Sequence, residues 1–240
     1  LIKGKSLLNR TWSIAKAVSG VDEVIVATDD ERVAEYATAF GANVEMTSSG
    51  CRNGTERTLA ALAGVKPVPN IVINLQGDAV LTPPWVIESL VKALKEDPHA
   101  TMATPAVKIL PVQYEELAKR KAQDGASGTM VVFDRDYNAL YFSKALIPYM
   151  RNKKDDLPMY RHVGIYGFRY PMLERFVQLA PTPLEETEGL EQLRVLENGF
   201  SIKVVIVDYR GRTSWSVDTP EDARIAEQII EREGELLACV

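Results

Sequence analysis

The apolar positions of the chain fall into two kinds of segment. Short continuous runs come first: Glu23–Ala27 (EVIVA), Ile71–Leu75, Thr101–Val107 and Ile202–Val207. Runs of this length suit strands buried in a parallel sheet. Between them lie stripes at helical spacing. Trp12, Ala15 and Val18 mark a helix over Asn9–Ser19, and Val86, Ile87, Leu90, Val91 and Leu94 mark another. Leu190, Leu193 and Leu196 face one way in a helix predicted over Glu188–Asn198, and a last helix runs from Thr219 to about Glu235. Strand, polar strand end, helix, strand is the βαβ pattern, with right-handed crossovers. The expectation is an α/β fold with a mixed, mainly parallel central sheet flanked by helices, as one domain over residues 1–240.

Two stretches depart from that rhythm. Thr129–Phe133 and Ala139–Ser143 read as strands joined by the turn Asp134–Asn138, a hairpin that sets about 129–170 apart as a subregion. Leu110–Gly128 is highly charged and reads as a surface excursion, while His162–Phe168 reads as one strand. Several polar residues are explained by helix starts. Asp29 or Asp30, Thr55 and Thr82 are placed to cap helices, and Thr82 is followed by prolines. Thr219, Pro220 and Asp222 have the spacing of a capping box with proline at the first helical position.

Composition narrows the function classes. The net charge of −5 gives no electrostatic reason to bind nucleic acid or an anionic membrane, so an anionic substrate must be held by local cations or a metal. No apolar run approaches membrane-spanning length, and no signal-peptide pattern opens the chain. Cys51 and Cys239 are too few and too far apart to suggest a disulfide framework. They are expected to be free thiols in a reducing, cytoplasmic compartment. The chain opens at Leu1 inside a Lys/Gly-rich segment and is expected to continue upstream.

Candidate chemistry gathers at strand and helix ends. The run Ile71–Leu75 breaks into Gln76, Gly77 and Asp78, at the carboxyl end of a strand where ligands of open α/β sheets sit. Asp78 is read either as a turn residue or as an oxygen ligand for Mg²⁺. Asp218 precedes a helix whose cap Thr219 already supplies, so helix chemistry leaves it unexplained. Lys5, after Gly4, is read as solvated terminus or as a point charge on a phosphate. Arg52 and Arg57 in CRNGTER are planar donors suited to phosphates and base edges. His162 is read first as a hydrogen-bonded core residue. Asp134 and Asp136 have the Asp-x-Asp spacing of a sugar-nucleotide metal site but fall in the hairpin turn.

LIKGKSLL, VATDDERV, NGTER, INLQGD, ALYFSKALIPYMR, HVGIYGFR, GLEQLR and SVDTPED occur in this order. Together they resemble the 3-deoxy-manno-octulosonate cytidylyltransferases, also called CMP-KDO synthetases, over about Gly4 to Asp222. The resemblance implies a glycosyltransferase-A-like α/β sandwich and a hairpin region that forms a homodimer. It implies transfer of CMP from CTP to the anomeric hydroxyl of KDO, releasing pyrophosphate, in lipopolysaccharide or capsule synthesis. It puts Gly4 and Lys5 in the triphosphate loop and Asn53, Gly54 and Arg57 in the cytosine-reading segment. Asp78 and Asp218 become the metal-binding carboxylates, with Gln76 beside both substrates. Arg151, His162, Tyr166, Glu191 and Gln192 surround the sugar acid.

The chain departs from the family pattern in places. QGDEP appears as QGDAV, SGT[DE]R as NGTER, PGKPL as Lys3–Leu7, and a Val-Lys pair as Thr129-Met130. The carboxylates are intact, while the exact sugar is left open. Another ulosonic acid (8-amino-KDO or a sialic-type sugar) is an alternative substrate, and a non-catalytic nucleotide-binding relative is an alternative function.

Overall fold

The computed structural model describes residues 1–124, 128–151 and 158–237. The chain begins with α1 (Leu7–Lys16), β1 (Ile25–Thr28), α2 (Glu31–Ala39), β2 (Asn43–Met46), α3 (Gly54–Ala61) and β3 (Ile71–Asn74). It continues through α4 (Pro84–Glu96), β4 (Met102–Lys108), α5 (Pro111–Asp124), β5 (Met130–Phe133), β6 (Ala139–Ser143), β7 (Tyr160–His162) and β8 (Tyr166–Arg169). It ends with α6 (Tyr170–Gln178), α7 (Pro183–Glu188), α8 (Leu193–Glu197), β9 (Lys203–Ile206) and α9 (Pro220–Glu233). Leu1–Lys92 with Tyr209–Val240 make one compact unit, and Ala93–Asp208 make a second.

In the first unit β1, α2 and β2 form the expected βαβ element, with β1 and β2 parallel. Asp30 caps α2, accepting the Arg32 N–H at 2.9 Å. Thr55 does not cap α3. Asn53 does, accepting the Glu56 N–H at 2.9 Å, because the helix starts two residues earlier than a Thr55 cap would allow. The buried Thr55 hydroxyl instead accepts from the Asn74 amide at 3.1 Å, tying α3 to the end of β3. Likewise α4 starts at Pro84, so Pro83 rather than Thr82 flanks its first residue. β3 alternates partly and fully buried positions instead of being buried on both faces. An apolar core beneath α9 joins Ile2, Val80, Leu81, Val217, Ala226, Ile229 and Ile230.

The second unit corrects the expected strand direction. β4 pairs in parallel with β9, but antiparallel with β8 along Met102–Ala103 and with β7 along Ala106–Lys108. β5 is antiparallel to both β7 and β6. This sheet is mainly antiparallel. The turn between β5 and β6 is far too short for a parallel crossover, which needs a dozen residues or more. The Val204 N–H donates to the Tyr137 carbonyl at 2.7 Å and the Ala139 N–H to Ile202 at 2.8 Å, drawing the hairpin turn to β9.

Three further expectations change. The charged stretch after Leu110 is the helix α5, with proline at its start. The predicted helix over Glu188–Asn198 is two helices, because Gly189 takes a left-handed conformation (φ 64°) that ends α7. Arg194, on the second of these helices, is buried, ion-paired with Glu185 and stacked 4.9 Å over Phe176. The predicted strand His162–Phe168 is broken between β7 and β8. Pro105 of β4 lies opposite the break and accepts the Val163 N–H at 3.0 Å. Proline has no N–H to offer the opposite strand, which suits it to a place where the pairing is interrupted. No helix among the described residues is long and apolar enough to cross a membrane. Cys51 is a free thiol, and Cys239 lies outside the described residues.

Candidate active site

In the first unit the two unexplained carboxylates meet. β3 ends in a turn where the Ala79 N–H donates to the Gln76 carbonyl at 3.2 Å and the Thr11 hydroxyl to the Gly77 carbonyl at 3.0 Å. The Asp78 carbonyl then accepts two backbone N–H groups, from Val80 at 2.8 Å and Val217 at 3.1 Å. The second bond brings the residue before Asp218 against Asp78. Buried Val80 and Val217 anchor both segments in the core under α9. On the other side, the Thr219–Asp222 box fixes the start of α9, and Asp222 also accepts the Asp218 N–H at 3.2 Å.

Asp78 is half-buried and Asp218 exposed. Burial first, and the nearby Asp218 charge second, push the Asp78 carboxyl above its usual range. Neither has an ion-pair partner among the described residues. Two neighbouring acidic groups without an ion-pair partner are a poor folding contact but a good oxygen-donor pair for a hard divalent ion. No group of three or more His, Cys, Asp or Glu suited to a metal occurs among the described residues. Such an ion would therefore take its remaining ligands from water or substrate, the usual habit of Mg²⁺.

The Lys/Gly segment is ordered rather than a frayed terminus. Ile2 is fully buried, and Ile2 and Lys5 exchange backbone hydrogen bonds of 2.8 and 3.1 Å. Lys3 (φ 47°) and Gly4 (φ 76°) form the left-handed turn between them. An added Cβ on Gly4 would meet nothing within 4 Å, so the glycine serves backbone conformation and not space. The buried Arg10 guanidinium donates to the Ile2 carbonyl at 2.7 Å and pairs with Glu235 at 2.8 Å. Ser6 caps α1, and Lys5 is held between turn and cap.

Arg57 projects from the first turns of α3. It donates to the Thr47 hydroxyl at 2.7 Å and pairs with Asp29 at 3.2 Å, so its fork is pre-oriented. Gly54 opens the helix just after the Asn53 cap. Asp29, Thr47 and Thr11 were not singled out as site residues from sequence. The signal for Asp29 was present, since α2 needs one capping acid and two stand there. Ala79 and Val80, the departure from QGDEP, are buried in the core.

In the second unit four of the predicted sugar-site residues form one cluster. The His162 and Tyr166 rings lie 5.7 Å apart, and Phe142 stands edge-on to His162 at 5.0 Å. The Tyr166 hydroxyl donates to Gln192 Oε1 at 2.9 Å. Gln192 is 1% exposed, yet its Nε2 has no hydrogen-bond partner. An orphaned amide of this kind costs folding energy and awaits an acceptor. Burial lowers the His162 pKa to about 3, so the ring is neutral at ordinary pH. Burial, and then the charge of Glu191, raise the Tyr166 pKa. His162 is buried and hydrogen-bonded, as its reading as a core residue expects. Arg151 is exposed in a bend, and no hydrogen bond or ion pair joins it to the other four. Asp134 accepts the N–H groups of Asp136 and Asn138 at 2.9 and 2.8 Å, so turn chemistry accounts for the Asp-x-Asp spacing.

Residues 1–204 match the cytidylyltransferase family model. The 3-deoxy-manno-octulosonate cytidylyltransferase of Maricaulis maris is 51% identical over 237 residues, covering 99% of this chain and 92% of that protein. The mitochondrial enzyme of that name from Arabidopsis thaliana is 41% identical over 95% of this chain and 76% of its own length. Among solved structures, CMP:2-keto-3-deoxy-manno-octonic acid synthetase complexed with CTP superposes with a TM-score of 0.84 at 33% identity, covering 97% of this chain and 90% of that one. The chain belongs to the 3-deoxy-manno-octulosonate cytidylyltransferase family.

Proposed function

We propose that this chain transfers CMP from CTP to the anomeric hydroxyl of KDO, releasing pyrophosphate, with Mg²⁺ held by Asp78 and Asp218. The observation that carries the reading is the approach of those two carboxylates through the Val217–Asp78 backbone bond, with no ion-pair partner for either among the described residues. When bound, Mg²⁺ supplies charge neutralisation on the triphosphate and lowers the pKa of a coordinated hydroxyl.

In the reaction the anomeric oxygen bonds to the α-phosphorus, the bond from that phosphorus to the bridging oxygen breaks, and the hydroxyl proton is lost. The chain's own groups bind and orient. Lys5 presents an ammonium to the triphosphate from an ordered turn, where it acts as a point charge. Arg57, braced by Asp29 and Thr47, presents donors to the cytosine edge. Asn53 and Gly54 shape the backbone around the base, and Gln76 extends from the same turn as Asp78. Neutral His162, Tyr166 and Gln192 suit sugar hydroxyls, and the cationic Arg151 suits the sugar carboxylate. Positioning and electrostatics then carry catalysis, and no protein nucleophile is needed.

This reading places the reaction in the cytoplasm, where CTP is made, and makes the active form a homodimer. The exposed Tyr137 and Leu140 of the hairpin support an isologous contact there. The deciding experiment measures pyrophosphate release from CTP with KDO, 8-amino-KDO and a sialic acid, with and without Mg²⁺. KDO turnover dependent on Mg²⁺ is expected. A higher kcat/KM for another ulosonic acid would reassign the sugar, and CTP binding without turnover on any of them would make the chain a nucleotide-binding relative.

A further inference from the structure

The break between β7 and β8 leaves the Ile165 carbonyl outside the regular strand pairing, and a side chain takes it up. Thr104, fully buried in β4, donates its hydroxyl to that carbonyl at 2.8 Å. The same hydroxyl oxygen lies 2.8 Å from His162 Nε2. A hydroxyl has one proton to give. Spent on Ile165, it leaves the oxygen only as an acceptor towards the ring. The Val163 carbonyl, at 3.4 Å, is the poorer second acceptor for that proton. The ring is neutral, so one nitrogen carries the proton and the other accepts. By this chain of bonds Nε2 carries it and Nδ1 is the acceptor.

We propose that Thr104 is a positioning residue that fixes His162 as the Nε2–H tautomer, presenting Nδ1 as an acceptor for a hydroxyl of the sugar acid. The inference rests on the reading of His162 as part of the sugar site. The break has a local cause: continuing the β4–β8 register would set Ile165 opposite Pro105, which has no N–H to give its carbonyl, so the Thr104 hydroxyl takes it up. The Nε2–H tautomer splits the cluster into complementary halves, with His162 accepting from the sugar and the unpartnered Gln192 Nε2 donating to it.

The test is ¹⁵N imidazole spectroscopy of the full chain, whose two histidines give two ring systems. Wild-type His162 should show the Nε2–H tautomer at neutral pH, and an Nδ1–H ring there overturns the proposal without any variant. Thr104→Val should shift the tautomer population and raise KM for KDO about tenfold, the worth of one hydrogen bond, with kcat held. Thr104→Ser, which keeps the hydroxyl, should restore both. A packing role alone would lower stability in either variant and leave the tautomer unmoved, which overturns the proposal. So does an unchanged KM in Thr104→Val while wild-type His162 signals respond to KDO. If those wild-type signals ignore saturating KDO, the sugar-site reading falls first and takes the proposal with it.

Discussion

The carboxylate pair and the His162 cluster solve opposite problems. Asp78 and Asp218 stand near solvent and are positioned through their own main chains: the Asp78 carbonyl accepts from Val80 and Val217, and the Asp218 N–H donates to the Asp222 carboxylate. His162, Tyr166 and Gln192 are buried and neutral, and side chains position one another. The first region leaves charge uncompensated, which an incoming cation can use. The second suppresses charge by burial and leaves single polar atoms unpaired, which hydroxyl groups can use. Rigidity comes in the first case from the main chain and in the second from aromatic packing. Substitutions at the two should therefore fail differently.

The largest effect is expected at the pair. Asp78→Asn or Asp218→Asn should cut turnover by about 100-fold or more, the scale of losing a preorganised transition-state contact. The double variant should lose little beyond either single one, since groups holding one ion act as a unit. Mg²⁺ with CTP should raise the melting temperature of the wild type and not of the double variant. Without Mg²⁺ neither substitution should lower it, because removing one of two neighbouring like charges relieves repulsion. Effects that multiply in the double variant would separate the carboxylates into independent roles.

The buried cluster should show itself next in acid stability. The His162 pKa is depressed to about 3, below the ordinary value of 6.5. The unfolded chain therefore binds a proton there that the folded chain refuses. Its contribution is complete above about pH 6.5 and is lost as pH falls towards 3, at about 1.4 kcal/mol per unit. Urea unfolding at pH 7, 6 and 5 should show this slope, and His162→Gln should flatten it. An equal slope in both proteins would mean that the ring titrates freely.

A smaller change is expected from Gln192→Leu, which removes the unpartnered Nε2 and the acceptor of Tyr166. KM for KDO should rise about tenfold with KM for CTP unchanged. A shift in the CTP constant instead would break the assignment of this cluster to the sugar. Smallest is the base edge. Arg57→Ala should narrow the CTP-over-UTP preference several-fold, and Asp29→Asn should do so less, because Thr47 still braces the guanidinium. An unchanged ratio in both variants would remove Arg57 from base recognition.

What could be read from sequence depended on how far each bond reaches along the chain. The Thr219–Asp222 box was legible because its partners are three residues apart, and it exposed Asp218 as the acid left over. The Asp78 strand end was legible from one apolar run and its sudden stop. Thr104 carried no signal, since its partners lie some 60 positions away and a threonine in a strand needs no explanation. The sheet direction failed for a related reason. Apolar runs report burial, not the direction of a neighbouring strand, and the break after His162 is hidden inside an unbroken apolar-looking stretch. Helix α5 was missed because its polar surface masked its periodicity.

The bond from the Val217 N–H to the Asp78 carbonyl has a consequence for how this site can drift. It is made by main-chain atoms, so it does not depend on which side chains residues 79, 80 and 217 carry, provided they fill the core below. The replacement of Glu-Pro by Ala79-Val80 is therefore a change of filling beneath a fixed hinge. The acidic pair behaves as an heirloom in a setting that can be recut, and random libraries at 80, whose side chain is almost wholly buried, should return many active apolar residues and few charged ones.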